Sequence, residues 1–145
     1  MYQHLLLATD GSELAGKAVI QGLELAKHLQ AKVTVVTVTA PWPAAAYGTI
    51  PTPSLIDLYE KTSAENAAGF LSTASEAAKK TGVTCATLHV KDRYPAEGII
   101  SAAKDKACDL IVMASHGRGT LGRLLLGSEA SKVLTLSPVA VLICR

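Results

Sequence analysis

With 145 residues and 49% apolar content, the chain is expected to form one domain spanning 1–145, with a core large enough to need no disulfide or metal staple. Lys and Arg number 14 against 12 Asp and Glu, a formal charge of +2, so neither a broad basic face for nucleic acid nor an acidic tail is expected. No segment approaches the roughly 18 apolar residues of a membrane span. The opening Met1-Tyr2-Gln3-His4-Leu5-Leu6-Leu7 has no basic region and too short an apolar run for a signal peptide, so the protein reads as cytoplasmic, with no membrane partner.

In chain order, 5–9 is a short apolar run, and Asp10-Gly11-Ser12 then makes a turn in which Ser12 caps a helix to about Gln30. Ala15, Ala18, Val19, Gly22, Leu25, Ala26 and Leu29 recur at helical spacing and mark its inner face. A second strand, 32–39, is rich in Val and Thr. The stretch 40–53 holds four of the 6 prolines and reads as a loop. Ser54, with Asp57 three positions on, resembles a capping box for a long helix to about Thr81, where Gly82 stops it.

The alternation repeats: strand 83–90, a turn ending at Pro95, helix 96–106, strand 109–114, a glycine-rich turn, helix 128–136 and strand 139–144. Strands alternating with helices imply an open, mainly parallel α/β sheet covered on both faces, because parallel strands need crossovers and those helices must pack somewhere. The runs Leu110-Ile111-Val112-Met113 and Val139-Ala140-Val141-Leu142-Ile143 are continuously apolar, and both fit strands buried on two faces. Cys85, Cys108 and Cys144 are odd in number and lack C-x-x-C spacing, so they read as buried free thiols.

The most informative segment is 117–129, a glycine-rich turn that follows an apolar strand and opens a helix. Such a turn binds phosphate: Gly117 and Gly127 are read as supplying backbone angles that other residues resist, and the first N–H groups of the helix face the anion. Gly117, Gly119 and Gly122 spell G-x-G-x-x-G, but the dinucleotide fingerprint needs an acid about 20 positions on. Here the last acid is Glu129, so that reading is rejected, and no Gly-Lys-Ser or Gly-Lys-Thr supplies a Walker A loop.

Ser115-His116 with Asp10 or Asp109 invites a hydrolase reading, yet no G-x-S-x-G elbow exists, and His116 is read as fixing the loop. His4, His28 and His89 lack the spacing of a metal pair. Trp42, Tyr47 and Tyr59 flank the proline-rich loop, either as a lid over a ligand or as a packed loop.

Leu6-Leu7-Ala8-Thr9-Asp10-Gly11-Ser12 at one end, Pro138-Val139-Ala140-Val141-Leu142 at the other, and Ala114-Ser115-His116-Gly117 followed by nine residues and Gly127-Ser128 resemble a universal stress protein domain. The late segment is similar to the G-x-x-G, nine residues, G-[S/T] pattern of the family's ATP-binding branch. The resemblance implies an adenine-nucleotide alpha-hydrolase-like sheet of order 3-2-1-4-5, with the ligand at the switch between strands 1 and 4. It implies that Ala8, Asp10 and Val38 surround adenine and ribose, Val38 through its backbone. Met113, Ala114 and Gly117 would pass beneath the nucleotide, and Gly127, Ser128, Glu129 and Ala130 would meet the phosphates. Two positions depart from the pattern. Ala114 stands for the first glycine, and Glu129 puts a carboxylate where small or apolar residues are common, which repels a triphosphate unless its side chain is turned away. Nearby Arg118 and Arg123 read as part of a solvated loop.

In the implied order the last strand is an apolar edge without an interior Lys or Pro, and self-pairing into a homodimer covers it, as the resemblance also implies. The expected function is ATP binding, with AMP second, in a stress-linked sensor or regulator; Mg²⁺ would arrive on the phosphates. The alternative is a nucleotide-free dimeric interaction module. No residue stands out as a general base, so any ATP hydrolysis would be slow and incidental.

Overall fold

The computed structural model describes residues 1–42, 50–117 and 126–145. Among these, β1 (His4–Ala8), β2 (Lys32–Thr39), β3 (Cys85–Lys91), β4 (Leu110–Ala114) and β5 (Ala140–Cys144) form one sheet of order β3-β2-β1-β4-β5. Every neighbouring pair is parallel. The crossovers carry α1 (Glu13–Leu29), α2 (Pro53–Thr81), α3 (Pro95–Asp105) and α4 (Ser128–Leu136).

Side chains alternate across the strands, so each central strand feeds two cores. Leu5, Leu7, Val33, Val35 and Val112 pack with Ala18, Leu23 and Ala26 of α1 and Leu71, Ala74 and Ala78 of α2. Leu6, Ala8, Val36, Ile111 and Met113 face the other way, onto Ile99, Ala102 and Ala103 of α3 and Ala130 and Val133 of α4. Leu5, Leu6 and Leu7 have no exposed surface, and each contributes about 1.5–3 kcal/mol by leaving water. At the entry end of the sheet, the Asp109 carboxylate accepts the N–H groups of Gln3 at 2.9 Å and His4 at 3.1 Å, which fastens the start of β1 to that of β4.

Helix ends follow their caps. Ser12 Oγ accepts the Ala15 N–H at 3.2 Å, and Gln30 closes α1 in the left-handed region at φ 55°. The long helix starts earlier than the Ser54 capping box predicts: Thr52 is its cap, accepting the Leu55 N–H at 3.3 Å. Pro53 takes the first helical position because it has no N–H to satisfy there.

The two apolar runs also differ. β4 is buried throughout, whereas β5 is not, with Leu142 41% exposed. An edge strand has a neighbour on one side only: Val141 and Ile143 pack on the α3/α4 face, whereas Leu142, level with Val112 on the α1/α2 face, is left exposed there. Cys108 and Cys144 are buried free thiols, while Cys85 on the opposite edge strand is half-buried. Burial raises all three thiols, with Cys108, also beside the Asp109 carboxylate, reaching about 11.

Candidate functional site

The chain leaves β1 towards α1 and β2 but leaves β4 towards α4 and β5, so a crevice opens where these connections part. A cavity of about 360 Å³ occupies it. All ten residues named from the sequence line this cavity: Ala8, Asp10, Val38, Met113, Ala114, Gly117, Gly127, Ser128, Glu129 and Ala130. Thr9, Ala15, Val36, His116, Pro95 and Ile99 also line it. Pro95 and Ile99 were not foreseen. Their one-turn spacing at the start of a helix was legible, but nothing local indicated which wall that helix would build.

Asp10 follows β1 in a tight turn. Its Oδ1 accepts the Ser12 N–H at 2.9 Å, and Gly11 next to it has φ +79°. Across the crevice, a Cβ on Gly117 would collide with Asp10 Oδ2, so a side chain at 117 would push the carboxylate out of its present place. Gly127 meets a similar limit, since a Cβ there would lie 3.1 Å from His116 Cα. Its N–H donates to the Ser115 carbonyl at 2.6 Å, and Ser115 N–H donates to Cys144 O at 2.7 Å. The ends of the glycine-rich segment are thus tied together and to β5. The expectation of unusual backbone angles is corrected: Gly127 has φ −70°, and among the described glycines only Gly11 and Gly82 have positive φ. At Gly127 it is close approach, not a left-handed backbone, that disfavours a side chain, and at Gly117 the close neighbour is the Asp10 carboxylate. Arg118 and Arg123 lie outside the described residues, as does Tyr47.

Ala114 ends β4 in extended backbone, 7% exposed and packed into the α1/α2 core, so the methyl forces nothing open. On β2, Lys32 N–H donates to Gln3 O and Val36 O accepts Thr9 N–H, which turns the backbone groups of even-numbered residues towards β1. Val38 is the next of these. Pairing with β1 ends at Val36, so the Val38 N–H and C=O face the crevice as an adjacent donor and acceptor.

On the far side α4 begins with Gly127 as its cap residue and no side-chain cap bond. The first intrahelical bond is donated by Ser131 to Gly127 O, which leaves the N–H groups of Ser128, Glu129 and Ala130 as the positive end of the helix. Glu129 is turned towards α3: its Oε2 accepts the Ala96 N–H at 2.9 Å, and its Oε1 pairs with Lys132 Nζ at 3.1 Å. It thereby caps a helix whose own cap residue, Tyr94, makes no side-chain cap bond.

Other sequence candidates sort by position. Ser115 is buried and its Oγ lies 3.2 Å from His116 Nδ1, while Asp109 sits at the other end of β4, so no Ser-His-Asp109 chain forms. His4 bonds to Thr34 Oγ1 at 2.8 Å at the entry end, and His89 to Thr39 Oγ1 at 2.7 Å on β3. Among the described residues no group of three or more His, Cys, Asp or Glu is placed to hold a metal, and no helix is long and apolar enough to cross a membrane. Trp42 packs edge-on against Tyr59 with ring centroids 5.4 Å apart, and the Tyr59 hydroxyl donates to Ala40 O at 2.7 Å. Neither ring is among the residues that line the cavity; Ala40 and Trp42 are held against Tyr59 of α2.

Comparison with known proteins agrees with this architecture. The universal stress protein YxiE of Bacillus subtilis (strain 168) is 32% identical over 149 residues, covering 100% of both chains. The structure of MJ0577, a universal stress protein of Methanocaldococcus jannaschii, superposes with a TM-score of 0.84 at 26% identity, covering 99% of this chain and 96% of that one. A universal stress protein solved in complex with cAMP superposes with a TM-score of 0.74 at 26% identity, covering 99% and 97%. The universal stress protein family matches residues 1–145 from end to end, and the chain belongs to that family.

Proposed function

We propose that the crevice binds an adenine nucleotide, ATP or AMP, and that the protein acts as a nucleotide-responsive sensor or regulator in a stress response. The observation that carries this reading is the meeting of an adjacent backbone donor and acceptor at Val38 with the helix N-terminus at Ser128, which has no side-chain cap among the described residues, across one 360 Å³ cavity. Adenine presents a ring-nitrogen acceptor beside its amino donor, which complements the Val38 N–H and C=O. Val36, Ile99 and Met113 supply apolar walls for the ring. Asp10 and Gly117 flank the place of the ribose, and Gly127, Ser128, Glu129 and Ala130 offer N–H groups to phosphate. The likeness to a relative solved with cAMP supports the same class of ligand.

Mg²⁺ would enter on the phosphate oxygens of ATP, and hydrolysis would be incidental, since no general base stands out in the sequence. The apolar β5 edge supports a homodimer joined through that strand. A nucleotide-free dimeric interaction module is the competing reading; the Glu129 carboxylate in the lining favours it.

Calorimetric titration of ATP and AMP into wild type, Gly127→Glu and Ser128→Ala separates the two. Wild type binds. Gly127→Glu abolishes binding by placing bulk and charge at the anion position, while Ser128→Ala loses about 1.5–3 kcal/mol, roughly ten- to hundredfold in affinity, because the N–H donors remain. Circular dichroism checks each fold. Wild-type protein that takes up neither nucleotide favours the interaction module, and a folded Gly127→Glu that still binds moves the phosphates elsewhere.

A further inference from the structure

Two helix N-termini border the cavity, that of α4 at Ser128 and that of α3 at Pro95, and they differ in what meets them. The α4 end has no side-chain cap among the described residues. The α3 end already holds an anion, the Glu129 carboxylate, whose Oε2 accepts the Ala96 N–H at 2.9 Å. Pro95 brings no N–H of its own, so Ala96 is the first donor that α3 can offer, and Glu129 takes it.

The carboxylate is also hard to displace. Its other oxygen pairs with Lys132 at 3.1 Å, so swinging aside would forfeit both contacts at once. The Lys132 side chain is 58% exposed, and solvent weakens its compensation of the charge. Among the described residues of the lining, the charged side chains are Asp10 and Glu129, both acidic.

We propose that Glu129 is a specificity-determining residue: by occupying the α3 N-terminus and fixing a negative charge beside the α4 N-terminus, it makes the site favour nucleoside monophosphates over triphosphates. A single phosphate is served by the α4 N–H groups alone. A triphosphate brings two further anionic groups into a space where the first donor of the second helix is taken and a held carboxylate opposes them. This rests on the adenine-nucleotide reading of the cavity and says which member of that class the site selects.

The test is the ratio of AMP to ATP affinity, measured by calorimetry without added divalent cation, in wild type, Glu129→Gln and Lys132→Ala. Glutamine keeps an oxygen for the Ala96 N–H and removes the charge. The expected result is a wild type that prefers AMP, and a shift of about tenfold towards ATP in Glu129→Gln. Lys132→Ala leaves the carboxylate less compensated and shifts the ratio the other way. Thermal unfolding of each variant reports the helix contact separately, since a purely structural Glu129 would change the unfolding midpoint and leave the ratio alone. A ratio that is the same in wild type and Glu129→Gln, or a wild type that prefers ATP, overturns the inference while leaving nucleotide binding intact. Absence of binding by either nucleotide to wild type overturns the adenine-nucleotide reading and the selectivity with it.

Discussion

The Phe70 ring, carried by α2, fills the space in which a Cβ on Gly11 would have to lie. Gly11 is thus restricted twice, by its φ of +79° and by this ring, and the turn that presents Asp10 to the crevice depends on both. Gly11→Ala is expected to destabilise the protein by more than the about 1–2 kcal/mol that a left-handed backbone alone costs an L-residue. Pairing it with Phe70→Leu should recover part of the collision and none of the backbone cost. Urea unfolding of the single and double variants measures this. A Gly11→Ala protein as stable as wild type would show that the turn does not need the glycine.

Stability should fall in two stages as pH drops. Burial holds His4 and His89 below their ordinary value of 6.5, with the charges of Lys32 and Lys91 acting in the same direction. Their unfolded forms bind protons more readily, so the stability they contribute is present above about pH 6.5 and is lost as pH falls towards the folded values. Burial alone would raise Asp109, but the N–H groups of Gln3, His4 and Asp109 itself outweigh it and hold the carboxyl below 3.8. Its contribution is therefore kept until pH falls below that value. Thermal midpoints recorded from about pH 7 to 3 should decline first in the histidine range and again in the acid range. Asp109→Asn should remove the second decline and deepen the first, because the carboxylate opposes the lowering of His4; a profile flat between about pH 7 and 5 would mean that the two histidines titrate as freely folded as unfolded.

The exposed Leu142 on the β5 edge is the better probe of self-association, because Val141 on the same strand packs against the α3/α4 core and its replacement would damage the fold. Wild-type protein is expected to sediment as a dimer. Leu142→Lys should weaken that dimer at least about tenfold by setting like charges across a two-fold axis. A folded Leu142→Lys protein that remains dimeric would place the contact away from β5.

Periodicity determined most of the architecture in advance. Strand and helix alternate because short continuous apolar runs such as Leu5–Leu7 are followed by apolar residues at helical spacing, as from Ala15 to Leu29, and those patterns are local. Burial on both faces was legible for β4 but misread for β5, since an apolar run states what a strand prefers and not how many neighbours it acquires. The cap of α2 moved from Ser54 to Thr52 because two hydroxyls two residues apart carry the same local signal, and the proline between them decides which can precede the helix.

The candidate site divides in the same way. The glycine segment announced a turn into a helix from its residues alone. Why its glycines are needed emerged only when β4 was set beside β1, which brings Gly117 onto Asp10, positions more than a hundred residues apart in the chain. The role of Glu129 was likewise beyond the reach of sequence. Its partner Ala96 is a backbone N–H on another helix, and a backbone donor leaves no trace in residue identity; only the packing of α3 against α4 made it available.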